Sequence, residues 1–166
     1  MSNPGEGCVK RGTTSQAQER VDASPEVVYD LVTDVTRMGE WSPECVGCDW
    51  IDGADGAVPG ARFRGRNRHR LARWSTKPRV ITANRPGEFT FVAGDAFGRD
   101  LTVWTYRIAA AESGTEVTES FELLRDIPWY IRFWRRSFMG VTDRKADLEA
   151  NMRRTLLNLK VAAENQ

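Results

Sequence analysis

His69 is the only histidine in the chain, and imidazole is the side chain best suited to move protons near neutral pH. Placed in an interior beside a carboxylate, it can act as a general acid or base. A solvated ring, or one held by a single hydrogen bond, is the competing role. No G-x-S-x-G word and no Ser-His-Asp arrangement accompany it, so acyl transfer by a serine nucleophile has no support. Cys45 and Cys48 form a C-x-x-C. A zinc ribbon needs a second pair, and Cys8 stands alone, so no metal site is expected. Redox C-x-x-C pairs usually open a helix, which lowers the thiolate pKa. Here the pair falls in an expected strand, where residues three apart face opposite ways, so two unrelated thiols are expected.

Arg62, Arg64, Arg66, Arg68 and Arg70 alternate and must share one strand face. No Asp or Glu occurs from Gly56 to Gly87, a stretch with nine Lys or Arg. Such a stripe could meet phosphates or an acidic partner. The other reading is a solvated outer face neutralised by acids from elsewhere. No aromatics are interleaved for base stacking, so specific nucleic-acid binding is not expected. Gly53, Gly56 and Gly60 have the wrong spacing for a phosphate loop, and a strand follows them instead of a helix. In Trp129–Phe138, Tyr130, Trp134 and Phe138 recur every fourth residue with Phe133 beside them, flanked by Arg132, Arg135 and Arg136. Such a helix suits a lid over a pocket, a dimer patch, peripheral contact with a membrane surface, or simple packing on its own domain.

The elements that must carry these residues follow from length and periodicity. The 166 residues, 40% hydrophobic and 28% charged with net charge +1, suit a single domain that folds without disulfides or metals. That domain is expected over residues 14–166, after a flexible arm over 1–13. No run approaches the roughly 18 apolar residues of a membrane span, and no signal peptide opens the chain, so the cytoplasm is expected. A first strand, Thr14–Ala23, precedes a helix with Ser24 as N-cap and Pro25 in its first turn. A short helix over Thr36–Trp41 stops at Pro43. Period-two patterns then predict strands over Glu44–Ile51, Ala61–His69, Arg73–Asn84, Glu88–Ala93, Asp100–Ala110 and Thr115–Leu124, separated by Gly and Pro turns that favour antiparallel pairing. Last comes a long helix after Thr142 or Asp143, with Leu148, Met152, Leu156, Leu159 and Ala163 in one stripe and a Glu149–Arg153 pair at its side.

Several words stand in a telling order: Val21-Asp22-Ala23-Ser24-Pro25-Glu26-Val27-Val28-Tyr29, Trp41-Ser42-Pro43, Pro59-Gly60-Ala61-Arg62-Phe63, Trp104-Thr105-Tyr106, Gly114-Thr115-Glu116-Val117-Thr118 and Leu156-Leu157-Asn158-Leu159-Lys160. Over about Thr14 to Glu164, nearly its whole length, the chain resembles the START-like (SRPBCC) superfamily, in particular its polyketide cyclase/dehydratase and lipid-transport branch. The resemblance implies an α+β helix-grip (Bet v 1-like) fold. In it a seven-stranded curved antiparallel sheet wraps a long C-terminal helix, with two short helices after the first strand and a cavity between sheet and helix.

Strand alternation then selects the side chains that face that cavity. Phe63, Gly65, Asn67 and His69 share one face, as do Phe89 and Phe91, Trp104, Tyr106 and Ile108, and Val117, Glu119 and Phe121. The expected ligand-binding set is Trp41, Phe63, Asn67, His69, Trp74, Phe91, Trp104, Tyr106, Glu119, Phe121 and Trp134, an apolar pocket with a few polar groups. Plain core packing is the other home for the aromatics. Glu119 and Asn67 separate the two, because a filled core must bond them fully whereas a cavity can hydrate them. The expected function is binding or carriage of a lipophilic small molecule by a monomer or homodimer, without cofactor. A cyclase/dehydratase-type enzyme using His69 and Glu119, as the family resemblance implies, is the second reading. A protein-interaction module working through the Arg stripe or Trp129–Phe138 is the third.

Overall fold

Ser24 starts the first helix as its chemistry requires. Its hydroxyl accepts from the Val27 amide at 3.3 Å, Pro25 occupies the first turn, and α1 runs over Pro25–Thr33. Asp34 then ends α1 and opens a 3₁₀ turn over Val35–Glu40, its carboxylate accepting from the Thr36 amide at 3.2 Å. Val28, Leu31, Val32 and Val35 are buried along one side of this pair. The computed structural model describes residues 10–95, 97–127 and 144–166.

The strands are β1 (Thr14–Val21), β2 (Cys45–Ile51), β3 (Arg62–His69), β4 (Ala72–Thr76), β5 (Arg79–Asn84), β6 (Glu88–Gly94), β7 (Asp100–Ala110) and β8 (Thr115–Leu123). They form one antiparallel sheet in the order β1-β8-β7-β6-β5-β3-β2, with β4 paired to β3 off that path. The single strand expected over Arg73–Asn84 is therefore two. Pro78 has no amide hydrogen to give a ladder. The chain leaves β3 after Thr76, and β5 touches β3 at Arg62 and Arg79 before continuing along β6. The path thus holds the seven strands expected, with one short hairpin arm beside them.

The long helix, α2 (Arg144–Glu164), packs on β1, β8 and α1. Leu148, Met152, Leu156, Leu159 and Ala163 are all buried, as their spacing predicts. A helix this polar on its other faces gains its stability from that stripe. Glu149 does not take Arg153 as its partner. It accepts from the Ser15 hydroxyl at 2.6 Å and lies 3.9 Å from Lys145, because β1 passes beside that face. Lys160 anchors the other end, donating to the Arg20 carbonyl at 2.7 Å. The sheet curls around α2 as a half-barrel, the helix-grip arrangement.

Candidate ligand-binding cavity

Sheet and helix do not meet over their full length. Between them lies a half-enclosed cavity of about 310 Å³, room for roughly ten waters at ~30 Å³ each. Phe63 (β3), Phe91 (β6), Trp104 (β7), Phe121 (β8) and Met152 (α2) form much of its apolar wall. The rings brace one another. Phe63 stands edge-on to Phe91 with centroids 5.3 Å apart and edge-on to Trp50 at 5.7 Å, and Trp104 leans on Phe121 at 5.6 Å. Rings held this way keep their rotamers, so the wall resists collapse into the void.

Polar groups border the same space: Asn67, Trp74, Tyr106, Glu119, Asn151 and Thr155. Tyr106 and Glu119 are directly opposed across β7 and β8, and both are buried. The Tyr106 hydroxyl donates to Glu119 Oε1 at 2.7 Å. Glu119 Oε2, also buried, has no partner among the described residues. Burial pushes the Glu119 carboxyl from the ordinary 4.5 up to about 8, with the Tyr106 bond opposing the rise. Burial first, and the neighbouring Glu119 second, hold the Tyr106 phenol well above its usual range. Near neutral pH the site thus holds a carboxylic acid rather than a carboxylate.

Phe63, Asn67, Trp74, Phe91, Trp104, Tyr106, Glu119 and Phe121 all border the cavity. Trp41 and His69 do not. Trp41 is 1% exposed and packs in the core, its carbonyl accepting from Asn158 of α2 at 3.0 Å and its ring under Arg37. His69 lies on the correct face of β3 but at the strand's end, paired with Ala72 just before the hairpin turn. Its Nδ1 is 3.2 Å from Glu44 Oε1 at the cavity rim. The expected His69–Glu119 acid–base pair is therefore not assembled, each group having another partner. Trp134, and with it the whole Trp129–Phe138 segment and the Thr142 or Asp143 cap, lies outside the described residues.

Sequence reasoning missed Glu44, Asn151 and the cysteines. Asn151 donates to Glu44 Oε1 at 3.0 Å. Glu44, His69 and Asp147 bring donor atoms within 4.8 Å of one another, a trio a divalent cation could span. Position 151 falls beside the apolar stripe of α2, where only a three-dimensional partner marks it as interior. Cys45 and Cys48 are not on opposite faces. A bulge at Val46 shifts the register so that Cys45 pairs with Asn67, Gly47 with Arg66 and Cys48 with Gly65. Both thiols therefore turn inward, with sulfurs 3.3 Å apart, and both border the cavity. The Arg stripe is exposed on the outer face, where Arg62 meets Asp52 at 3.3 Å and Arg66 pairs with Asp49. Among the described residues, no helix is long and apolar enough to cross a membrane.

A family model described as Polyketide cyclase / dehydrase and lipid transport matches residues 13–164. Among solved structures, the Polyketide_cyc-like protein Cgl2372 from Corynebacterium glutamicum is 31% identical, with 94% of this chain and 91% of that chain covered at a TM-score of 0.51. The di-domain ARO/CYC StfQ from the steffimycin biosynthetic pathway is 12% identical at a TM-score of 0.70, covering 92% of this chain and 50% of that one. Protein MLL2253 from Mesorhizobium loti is 14% identical at a TM-score of 0.61, covering 93% of this chain and 98% of that one. The last two likenesses concern the fold alone. No curated protein matches the sequence.

Proposed function

Because the chain belongs to the polyketide cyclase / dehydrase and lipid transport family, we propose that it binds and carries a lipophilic small molecule bearing one polar end. The observation that carries this reading is Glu119 Oε2, a buried oxygen with no partner among the described residues, on a residue that borders a mostly apolar void. Leaving such an atom unpaired costs about 1–3 kcal/mol, a cost that a ligand carbonyl or hydroxyl removes. With Tyr106 donating to Oε1 and the acid proton on Oε2, a turn of the Glu119 carboxyl toward the void offers that proton to the ligand. The aromatic wall supplies the rest: burying ~250 Å² of apolar ligand surface contributes roughly 6 kcal/mol at 25 cal/mol per Å². Native mass spectrometry of the protein purified from its own host tests the reading. A bound mass that disappears in Tyr106→Phe/Glu119→Ala is expected. An empty cavity that also takes up no apolar dye would end it.

A second reading rests on the same group. A carboxyl titrating near 8 is a proton donor at neutral pH, which suits a cyclase/dehydratase-type step with Glu119 alone as acid. Glu119→Gln separates the two, because the amide still donates to a bound molecule but has no acidic proton to transfer. Retained binding with lost turnover favours catalysis.

A further inference from the structure

The geometry of the C-x-x-C goes beyond the binding reading and does not depend on it. We propose that Cys45 and Cys48 form a redox-active dithiol in the cavity wall, which a peroxide closes to a disulfide. The Val46 bulge brings the two sulfurs to 3.3 Å, so closure to a bond of about 2.05 Å needs a modest side-chain rotation. Both cysteines are buried against bulk solvent yet border the void, so an oxidant about the size of two waters can reach them and a protein thiol cannot. The Met38 thioether, 3.9 Å from the Cys48 sulfur, makes the corner sulfur-rich.

The two thiols are not equivalent. The hydrogen bond shared with the Cys48 thiol lowers the Cys45 pKa most, the Gly47 amide and the Arg66 charge add to it, and Cys45 ionises more readily than an ordinary thiol despite its burial. Cys48 keeps its proton. Cys45 thiolate is then the attacking sulfur and Cys48 the resolving one. In the first step the Cys45 sulfur bonds to one peroxide oxygen, the O–O bond breaks, and the departing hydroxide takes a proton to become water. In the second, Cys48 loses its proton, its sulfur bonds to the Cys45 sulfenic sulfur, and the C–S–OH oxygen leaves as a second water. Two thiols and one hydrogen peroxide give one disulfide and two waters, with two electrons passing from sulfur to oxygen.

The test uses the full chain with Cys8→Ser, exposed to hydrogen peroxide, alkylated with N-ethylmaleimide after unfolding, and mapped by mass. The peptide holding both cysteines should lose both labels, weigh two hydrogens less, and recover both labels after dithiothreitol. The reaction should also run faster in the native chain than in the urea-unfolded one. With Cys48→Ala, Cys45 should stop as an oxygenated thiol. Two labels after peroxide, sulfinic acid in place of the disulfide, or equal rates folded and unfolded would each overturn the proposal.

Discussion

Tyr106 and Glu119 face each other across β7 and β8, both buried, so the acid proton stays with the folded chain well above the pH at which an exposed carboxyl releases it. The sign follows from linkage. A carboxyl that titrates at 4.5 when unfolded and about 8 when folded binds more protons in the native state between those values. Its contribution to stability is fully present below 4.5 and is lost as pH rises toward 8. Glu119→Gln removes that dependence. The stability difference, wild type minus variant, should therefore fall with rising pH across this window, by at most ~1.4 kcal/mol per pH unit. Urea unfolding at pH 5, 6.5 and 8 checks it; parallel curves for the two proteins would mean that Glu119 is ionised throughout. At this scale the sequence was informative about Glu119 and Tyr106, because alternation places them on one face. It misled on His69, because alternation gives the face of a residue and not its depth along the strand.

Elements are where the pattern was easiest to read and where single residues break it. β3, β6, β7 and β8 show alternating or continuous apolar faces, and α2 shows its stripe, so the sheet and its gripping helix were legible without coordinates. Two features were not. The Pro78 break divides an expected strand because the missing amide interrupts the ladder, which apolar spacing does not record. The Val46 bulge inserts one residue and reverses the facing of everything before it, which turned two apparently unrelated thiols into neighbours. A glycine inside the strand at position 47 was the available signal, since an isolated strand glycine often marks a bulge. The β7–β8 hairpin is fixed by a glycine that the backbone does require. Gly114 has φ +76°, and a Cβ on it would sit 2.2 Å from the Val21 carbonyl oxygen at the end of β1. Gly114→Ala should lose at least ~1–2 kcal/mol from the left-handed backbone alone, and more from the clash, with Tm falling accordingly. Thermal unfolding measures this, and a variant as stable as wild type would show that the hairpin can move off β1.

For the whole molecule, a void under the sheet is a cost that a tightly packed domain would not carry, because empty space forfeits dispersion contacts. Binding and stability should therefore separate when the void is filled from inside. Thr155 is buried on α2 and borders the cavity, so Thr155→Phe directs a ring into space of about 310 Å³ that no side chain holds. An added ring in a packed core costs about 1–3 kcal/mol through strain. Here it gains contacts with the aromatic wall instead, so Tm should hold or rise. A ligand at 100 times its Kd stabilises the native state by about 2.7 kcal/mol. Wild type should show that shift with a bound apolar dye, and Thr155→Phe should show little of it. Dye fluorescence and thermal unfolding, measured together, read both effects. A variant that loses stability while still taking up dye would mean that the ring displaced packed atoms, and that the dye sits somewhere other than between β3, β7 and α2.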